Sequence, residues 1–477
     1  MKALTCFPDH VFEYHGDYLV FNIPSLSVLK VDGLAYAFLQ GREAGQSEEE
    51  AVSALRGRWS DREIEQMLGE VALLQERGAL GGTVQVEDEN DYERLVRNYV
   101  RWPTKGIELF LGEACNLRCR YCYAAANQAL SRGLMPWEVA KEAIHFAFRR
   151  NRNLRRVIFT FFGGEPLLNR EVLEASVQYA RRLGRRHNKR VLFAITTNGT
   201  LLDEEFIALM KRHRFSVTLS LDGPAEVQDR MRPFADGRGS FERVIANARR
   251  MKEQGLNFLV RSTVTNACLD KVGIIDFFEG EGFKSIKLTA AEGTTSGRSP
   301  YDVAPADLAV LQAQEDRLAA RVLERLGQGS RNSFHNPYAE KLHDLHRRKA
   351  GPLLPCGLTR AVTTVGIDGK LYPCHRYVGM ERYVMGDVST GVDREKQAEI
   401  LRNYFRIKQH CENCWARSVC NLACPWYFSC ADGSSRPPDP ARCREAQREA
   451  ERLLWLYSRI CVDHPDYFQK KPRGSGA

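Results

Sequence analysis

At 477 residues, 43% hydrophobic and 27% charged, the chain is too long for one ordinary core and reads as two to four globular domains. No apolar run approaches the roughly 20 residues that span a bilayer, and the start MKALTCFPDH has no apolar secretory segment, so a cytoplasmic location and no membrane partner are expected. The formal charge of +9 is carried by Lys and Arg spread over helical segments with acidic neighbours, such as Arg149, Arg150, Arg152, Arg155 and Arg156, which reads as a solvated face and not as a nucleic-acid footprint.

In chain order, residues 17–31 hold two β-prone runs around Asn22-Ile23-Pro24-Ser25, which predicts a hairpin. Three helices follow: one from Gly33, one after Ser47 with Glu50 three residues on, and one after Ser60 with Glu63 likewise placed, both latter pairs reading as capping boxes. A hairpin and three helices within 1–85 resemble the small winged-helix-like elements that bind leader peptides in peptide-modifying systems. The resemblance implies a domain that takes an extended peptide onto its sheet edge; a packing adaptor with no binding role is the plain alternative.

Residues 86–104 read as a polar linker with one helical piece, ending at Trp102-Pro103. Apolar strand candidates at 107–111, 156–162, 191–196, 215–221, 257–264 and 284–289 then alternate with helical patterns over 105–325. Such alternation implies parallel strands with helical crossovers, hence an α/β fold built on a partial (β/α)6 barrel with functional groups at the carboxyl ends of its strands.

The loop after the first of these strands carries Cys115, Cys119 and Cys122 in a C-x3-C-x2-C run, and no second cysteine pair follows within the next 60 residues to complete a zinc site. Three thiolates on one short loop suit a [4Fe–4S] cluster with one iron left for a non-protein ligand. The run, with Tyr121 before its last cysteine, resembles the signature of the radical S-adenosylmethionine (SAM) enzymes. That resemblance implies that SAM chelates the open iron and that its reductive cleavage yields a radical that takes hydrogen from substrate. It further implies SAM contacts from Tyr121, from Gly163-Gly164-Glu165-Pro166 after the second strand, from Asn198 after the third, from Ser220 of Ser220-Leu221-Asp222-Gly223 after the fourth, and from Arg261 in the fifth. Turn caps and satisfied strand residues are the bland readings of Asn198, Ser220 and Arg261. Glu165, Asp222 and Glu292 are the carboxylates near strand ends and the candidates for a general base; the sequence does not choose among them.

A helical bridge over 326–352 leads to a second cysteine field at 353–465. His335, His343 and His346 lie near or within the bridge and take no assigned role. The field resembles the SPASM extension of radical SAM enzymes, found chiefly in peptide and protein maturases, which implies two auxiliary [4Fe–4S] clusters and three in all. By position, Cys411, Cys414, Cys420 and Cys443 ligate the distal cluster, and Cys356, Cys374 and Cys424 the nearer one. Ten thiolates around three cores of charge +2 would bring the net charge to about +5. The nearer set lacks a fourth thiol, and Cys430, His375, a carboxylate or a substrate thiol each remain open as its completion. Cys6, Cys268 and Cys461 fit no pattern and read as buried small hydrophobes. A terminal helix follows Cys443 and docks on the cluster domain, with a disordered tail within 466–477.

Among SPASM maturases the chain most resembles the thioether-forming maturation proteins of quinohemoprotein amine dehydrogenases. This implies oxidative Cys-to-carbon crosslinks beside Asp or Glu carboxylates of a protein subunit, electrons handled by a donor such as flavodoxin or ferredoxin, and a leader-bearing substrate. Two alternatives stand beside it: oxidation of a Ser or Cys side chain as in sulfatase maturation, or carbon–carbon crosslinking; and, from another class, an iron–sulfur scaffold or electron carrier.

Overall fold

Alternation along the strands explains the central sheet. In Arg156–Phe162 and Arg190–Thr197 every second side chain is buried, and those between are half-buried or exposed, so one face packs on helices while the other lines a more open interior. The computed structural model describes residues 2–3, 7–101, 104, 106–124, 133–291, 299–329, 335–351, 356, 358–359, 362–420, 424–430 and 434–469.

After β1 (Lys2–Ala3), strands β2 (Asp9–Tyr14), β3 (Asp17–Asn22) and β4 (Ser27–Val31) form an antiparallel sheet. The predicted hairpin is its β3–β4 half; β2 is a third strand whose signal was not read. Helices α1 (Gly33–Glu43), α2 (Glu48–Leu55) and α3 (Asp61–Glu76) follow, and the capping boxes at Ser47/Glu50 and Ser60/Glu63 both form. β5 (Gln85–Val86) pairs with β1. Helix α4 (Glu89–Arg101) lies in the stretch read as a linker.

The barrel strands are β6 (Gly106–Phe110), β7 (Arg156–Phe162), β8 (Arg190–Thr197), β9 (Ser216–Ser220), β10 (Phe258–Val264) and β11 (Ile286–Ala290), all parallel to their neighbours. Between them run α5 (Trp137–Arg150), α6 (Arg170–Arg186), α7 (Glu204–His213), α8 (Ala225–Met231), α9 (Phe241–Glu253) and α10 (Lys271–Gly280). This is an α/β fold with a partial parallel barrel. Phe159, Phe161, Phe193, Phe206 and Phe278, each with at most 1–2% exposure, fill the layer between sheet and helices.

Past α11 (Leu308–Gly327) and α12 (Ala339–His346), strand β12 (Val362–Val365) joins the barrel beside β6, in parallel, and β13 (Leu371–Tyr372) folds back on it. The turn around Gly369 therefore extends the barrel sheet to eight strands and delivers Cys374 to its edge. The short pair β14 (Gly386–Asp387) and β15 (Gly391–Val392) precedes α13 (Arg394–Gln409), on which α4 packs through Glu93–Arg402 at 2.7 Å and the Tyr92–Phe405 stack.

The terminal helix α14 (Pro440–Asp463) corrects the expectation of docking on the cluster domain alone. It starts at Cys443 but runs along α11 and the N-terminal sheet, where the Trp455 indole donates to Asp17 at 3.1 Å and the fully buried Arg452 donates to Asp316 at 2.6 Å. His343 and His346 stack on Tyr467 and Phe468 just beyond it. Cys268 and Cys461 are half-buried and not core residues; Cys6 lies outside the described residues. The dispersed basic face is also corrected: segments 151–156, 181–190 and 212–214 meet at the amino ends of β7 and β8 with no acidic residue among them. No helix among the described residues is long and apolar enough to cross a membrane.

Candidate active site at the carboxyl ends of the barrel strands

The cysteine loop leaves β6 and is fastened from three sides. The Gly164 amide donates to Gly112 O at 2.8 Å and the Glu165 amide to Ala114 O at 3.0 Å; Arg118 N and Arg120 N donate to Pro233 O and Met231 O; Asn116 Nδ2 donates to Thr200 Oγ1 at 2.8 Å. The close approach explains the two glycines. A Cβ on Gly163 would stand 2.4 Å from Gly112 O, and one on Gly164 2.2 Å from Ala114 O, while Gly163 also holds φ at +147°. Both are demanded by backbone packing against the cysteine loop itself, in addition to any ligand.

Glu165 lies at the centre of this packing. Its buried carboxylate accepts from Asn198 N at 2.7 Å, Thr197 Oγ1 at 2.8 Å and Leu167 N at 3.1 Å, and burial lifts its pKa to about 6. With three donors on it, the group positions the loops. Pro166 opens the short turn that follows. Asn198 spans to the cysteine loop, its Nδ2 2.9 Å from Asn116 Oδ1 and 3.8 Å from Cys115 Sγ. Asp222 is equally committed: it accepts from Tyr121 OH at 2.6 Å and Thr263 N at 3.0 Å and faces Arg232 at 3.9 Å. Arg232 in turn donates to Tyr121 OH at 2.6 Å. Sequence reading missed Arg232; no motif marks it, since it sits in the loop after α8. Ser220 and Arg261 are register partners on β9 and β10 and share the half-buried inner face. Glu292 lies outside the described residues.

The thiols gather in three groups. Cys115, Cys119 and Cys122 act electrostatically on one another, Cys424 acts on both Cys356 and Cys374, and Cys414 acts on each of Cys411, Cys420 and Cys443. Burial raises the pKa values of Cys115, Cys356, Cys374, Cys411 and Cys443 and lifts those of Cys119 and Cys420 to about 12, so ionised sulfur at these positions needs a cationic partner, which iron would supply. All four distal thiols line one cavity of about 660 Å³, ample for a cubane cluster, with Lys408 and Arg417 on its wall as counter-charges. Among the described residues no three His, Cys, Asp or Glu side chains converge as ligands of a single ion. The residues fit clusters.

The nearer group meets the barrel through His375. Cys374 has extended backbone (φ −163°, ψ 173°), so the next side chain leaves on the opposite side from its thiol. His375 stacks on Phe162 at 4.1 Å and places Nδ1 3.1 Å from Glu108 Oε1. Its ring thus packs on β7 through Phe162 and is held from β6 by Glu108. Glu108, on β6, is 5% exposed and also accepts from Thr364 Oγ1 at 2.7 Å. The strand pattern hid it, because a lone carboxylate in GIELF reads as a surface position. Cys430 is tied by its main chain, with Tyr383 OH donating to its carbonyl and its amide donating to Ser434 O. Tyr123 lies between Cys122 and Cys374, with the Arg376 guanidinium 5.3 Å from its ring and from that of Tyr427.

Comparison with known proteins places this geometry. Residues 109–269 match the radical SAM superfamily, and the chain carries a radical SAM domain there. It is 25% identical over 377 residues to the cysteine-type anaerobic sulfatase-maturating enzyme of Clostridium perfringens (strain 13 / Type A), covering 74% of this chain and 92% of that protein. It is 26% identical over 337 residues to the cysteine-type enzyme of Clostridium novyi (strain NT), covering 68% and 86%. The solved structure of native anSMEcpe with bound AdoMet and Kp18Cys peptide has the same fold, with a TM-score of 0.64 and 22% identity over 76% of this chain and 100% of that one.

Proposed function

We propose that this chain is a radical SAM enzyme that oxidises a cysteine or serine side chain of a peptide or protein substrate. The observation that carries the reading is the reach of the likeness to cysteine-type sulfatase-maturating enzymes: 92% of the Clostridium perfringens protein is spanned, far beyond the superfamily domain. When bound, the clusters and SAM supply one-electron hydrogen abstraction at a substrate carbon. The chain's own residues do the rest. Cys115, Cys119 and Cys122 hold the loop cluster, with Tyr121, Asp222 and Arg232 bracing the loop that carries them. Gly163, Gly164, Asn198, Ser220 and Arg261 border the SAM position. His375, oriented by Glu108, presents Nε2 to the substrate side chain. The two auxiliary thiol groups would hold clusters that can carry the surplus electron outward, while a flavodoxin- or ferredoxin-like protein serves as electron donor. The N-terminal sheet and helices receive a leader segment.

A second reading is Cys-to-carbon thioether crosslinking, as in maturation of quinohemoprotein amine dehydrogenase. One specific observation favours it: among the described residues Cys424 acts on Cys356 and Cys374, and a cluster held by these three thiols would leave an iron for a substrate thiol.

Cysteine- and serine-containing peptides incubated with the reduced enzyme and SAM, with Cys119→Ala as control, separate the readings. Side-chain oxidation yields a product that reacts with a hydrazide probe, the thiol of a Cys peptide being lost. A thioether instead gives a mass loss of about 2 Da with the thiol blocked and no carbonyl. Absence of 5′-deoxyadenosine formation by the wild-type enzyme would overturn both.

A further inference from the structure

The opposite end of the barrel holds a surface that the reaction does not use. Segments 151–156, 181–190 and 212–214 carry eleven Arg and Lys residues and no Asp or Glu. Since the chain's formal charge is +9, subtracting these eleven leaves −2, so the whole positive excess resides at this one face. The segments are physically joined. Arg156 and Arg190 are register neighbours on β7 and β8, Arg190 N donates to Arg155 O at 2.9 Å, Lys189 Nζ donates to the carbonyls of Asn151 and Arg152 at 2.7 and 2.8 Å, and Arg181 donates to His213 O at 2.9 Å.

Helix ends alone do not account for this accumulation. Three helices, α5, α6 and α7, finish here, and each C-terminus carries roughly half a negative charge. About one and a half charges do not balance eleven. Nor do carboxylates: among the described residues none of the eleven forms an ion pair. Like charges gathered without counter-charges repel, and Arg181 shows it, its pKa lowered by burial and then by Arg185, Arg190 and Arg214. Its Nε is buried with no hydrogen-bond partner. Between the segments opens a concavity of about 570 Å³ with Arg155, Arg181, Arg185, Lys189 and Arg190 on its wall and Val191 as its one apolar side chain.

We propose that this end of the barrel docks an acidic protein segment, rich in Asp and Glu. Guanidinium forks match carboxylates in bidentate geometry, and the charge extends past the concavity along three segments, which suits an extended polyanion better than a single small anion. A single-stranded nucleic acid would need exposed rings for its bases. Of the rings here, Phe193 and Tyr179 lie under Arg181 and Arg182, which leaves the His187 imidazole as the exposed one. Strand β8 separates the surface from the cysteine-loop end by about 23 Å, so the docked partner is held while the radical site stays open, and it is not the electron donor. The inference is independent of which side chain the enzyme oxidises.

The test uses the full chain and a fluorescent poly-L-glutamate of about 20 residues, with an oligothymidylate of equal charge as competitor, at an ionic strength where the screening length is about 8 Å. The triple variant Arg155→Glu, Arg185→Glu, Arg190→Glu alters exposed side chains only; Arg155→Gln, Arg185→Gln, Arg190→Gln serves if the reversed charges impair folding. Poly-glutamate binding that weakens at least about tenfold in the variant, with 5′-deoxyadenosine formation unchanged and the oligonucleotide the weaker ligand, supports the proposal. Tighter binding of the oligonucleotide assigns the surface to nucleic acid and overturns it, as does poly-glutamate binding that is absent or equal in wild type and variant.

Discussion

Glu108 Oε1 and His375 Nδ1, 267 residues apart in sequence, lie 3.1 Å from each other at the seam where the auxiliary-cluster region joins the barrel. The carboxylate comes from the strand that launches the cysteine loop, the imidazole from the residue after an auxiliary-cluster thiol. The pair therefore joins the two cysteine-bearing regions through a hydrogen bond and, with the carboxylate accepting, makes Nδ1 the donor nitrogen; in the proposed reaction this leaves Nε2 for substrate.

The Glu108→Gln variant tests this. SAM cleavage needs only the loop cluster and is expected to continue, while product formed per 5′-deoxyadenosine falls about tenfold, within the range for a residue that orients a reacting group. Parallel quantification of both products checks it. An unchanged ratio would show that the pair holds the fold and does not serve substrate.

Gly164→Ala is expected to abolish SAM cleavage although it adds a single methyl. The new Cβ would meet the Ala114 carbonyl oxygen at 2.2 Å, and that oxygen belongs to the loop holding Cys115. Backbone cannot yield as a side chain can, so the cysteine loop must shift; overpacking of this kind costs about 1–3 kcal/mol. Iron content of the reconstituted variant, expected to fall by about four per chain, distinguishes a displaced loop from lost SAM contacts alone. Full iron content with no cleavage would assign the glycine to SAM.

Much of this architecture was legible because it rests on local rules. Strand periodicity located all six barrel strands to within two residues, and Ser47 and Ser60 announced their helices through side chains that bond three residues ahead. What escaped depends on distant partners. Arg232 has no local signature, and only the fold brings it to Tyr121, 111 residues away. Glu108 looks like a solvent position until Thr364 and His375 arrive beside it. The basic end of the barrel was misread because helical segments were judged one at a time, each with acidic neighbours in sequence, while their basic ends converge in space.

The Tyr121–Asp222–Arg232 network makes a stability prediction. Asp222 is fully buried and Arg232 is 8% exposed. Asp222→Asn removes the carboxylate that faces the guanidinium at 3.9 Å and leaves a buried charge under-compensated, for an expected loss of about 3–5 kcal/mol. Denaturant titration of the variant measures it. Arg232→Met with Asp222→Asn together should recover part of the loss, because both charges then leave. If the single and double variants are equally unstable, the contribution comes from packing around Tyr121.

His10 ties the N-terminal sheet to the auxiliary-cluster region and should make that contact sensitive to pH. Its ring stacks on Trp415 at 3.7 Å, directly after Cys414, while Nδ1 and Nε2 lie 2.9 Å from Glu43 and 3.2 Å from Glu451. Burial alone would lower its pKa, but the two carboxylates prevail and raise it above the ordinary 6.5. A raised histidine stabilises the fold fully below its unfolded value and loses that contribution as pH rises through the folded one. Stability should therefore decline as pH rises above about 6.5, with amide exchange quickening first in β2 and α14. In His10→Gln the decline should vanish, since glutamine does not titrate. A decline of equal size in the variant would place the responsible proton elsewhere.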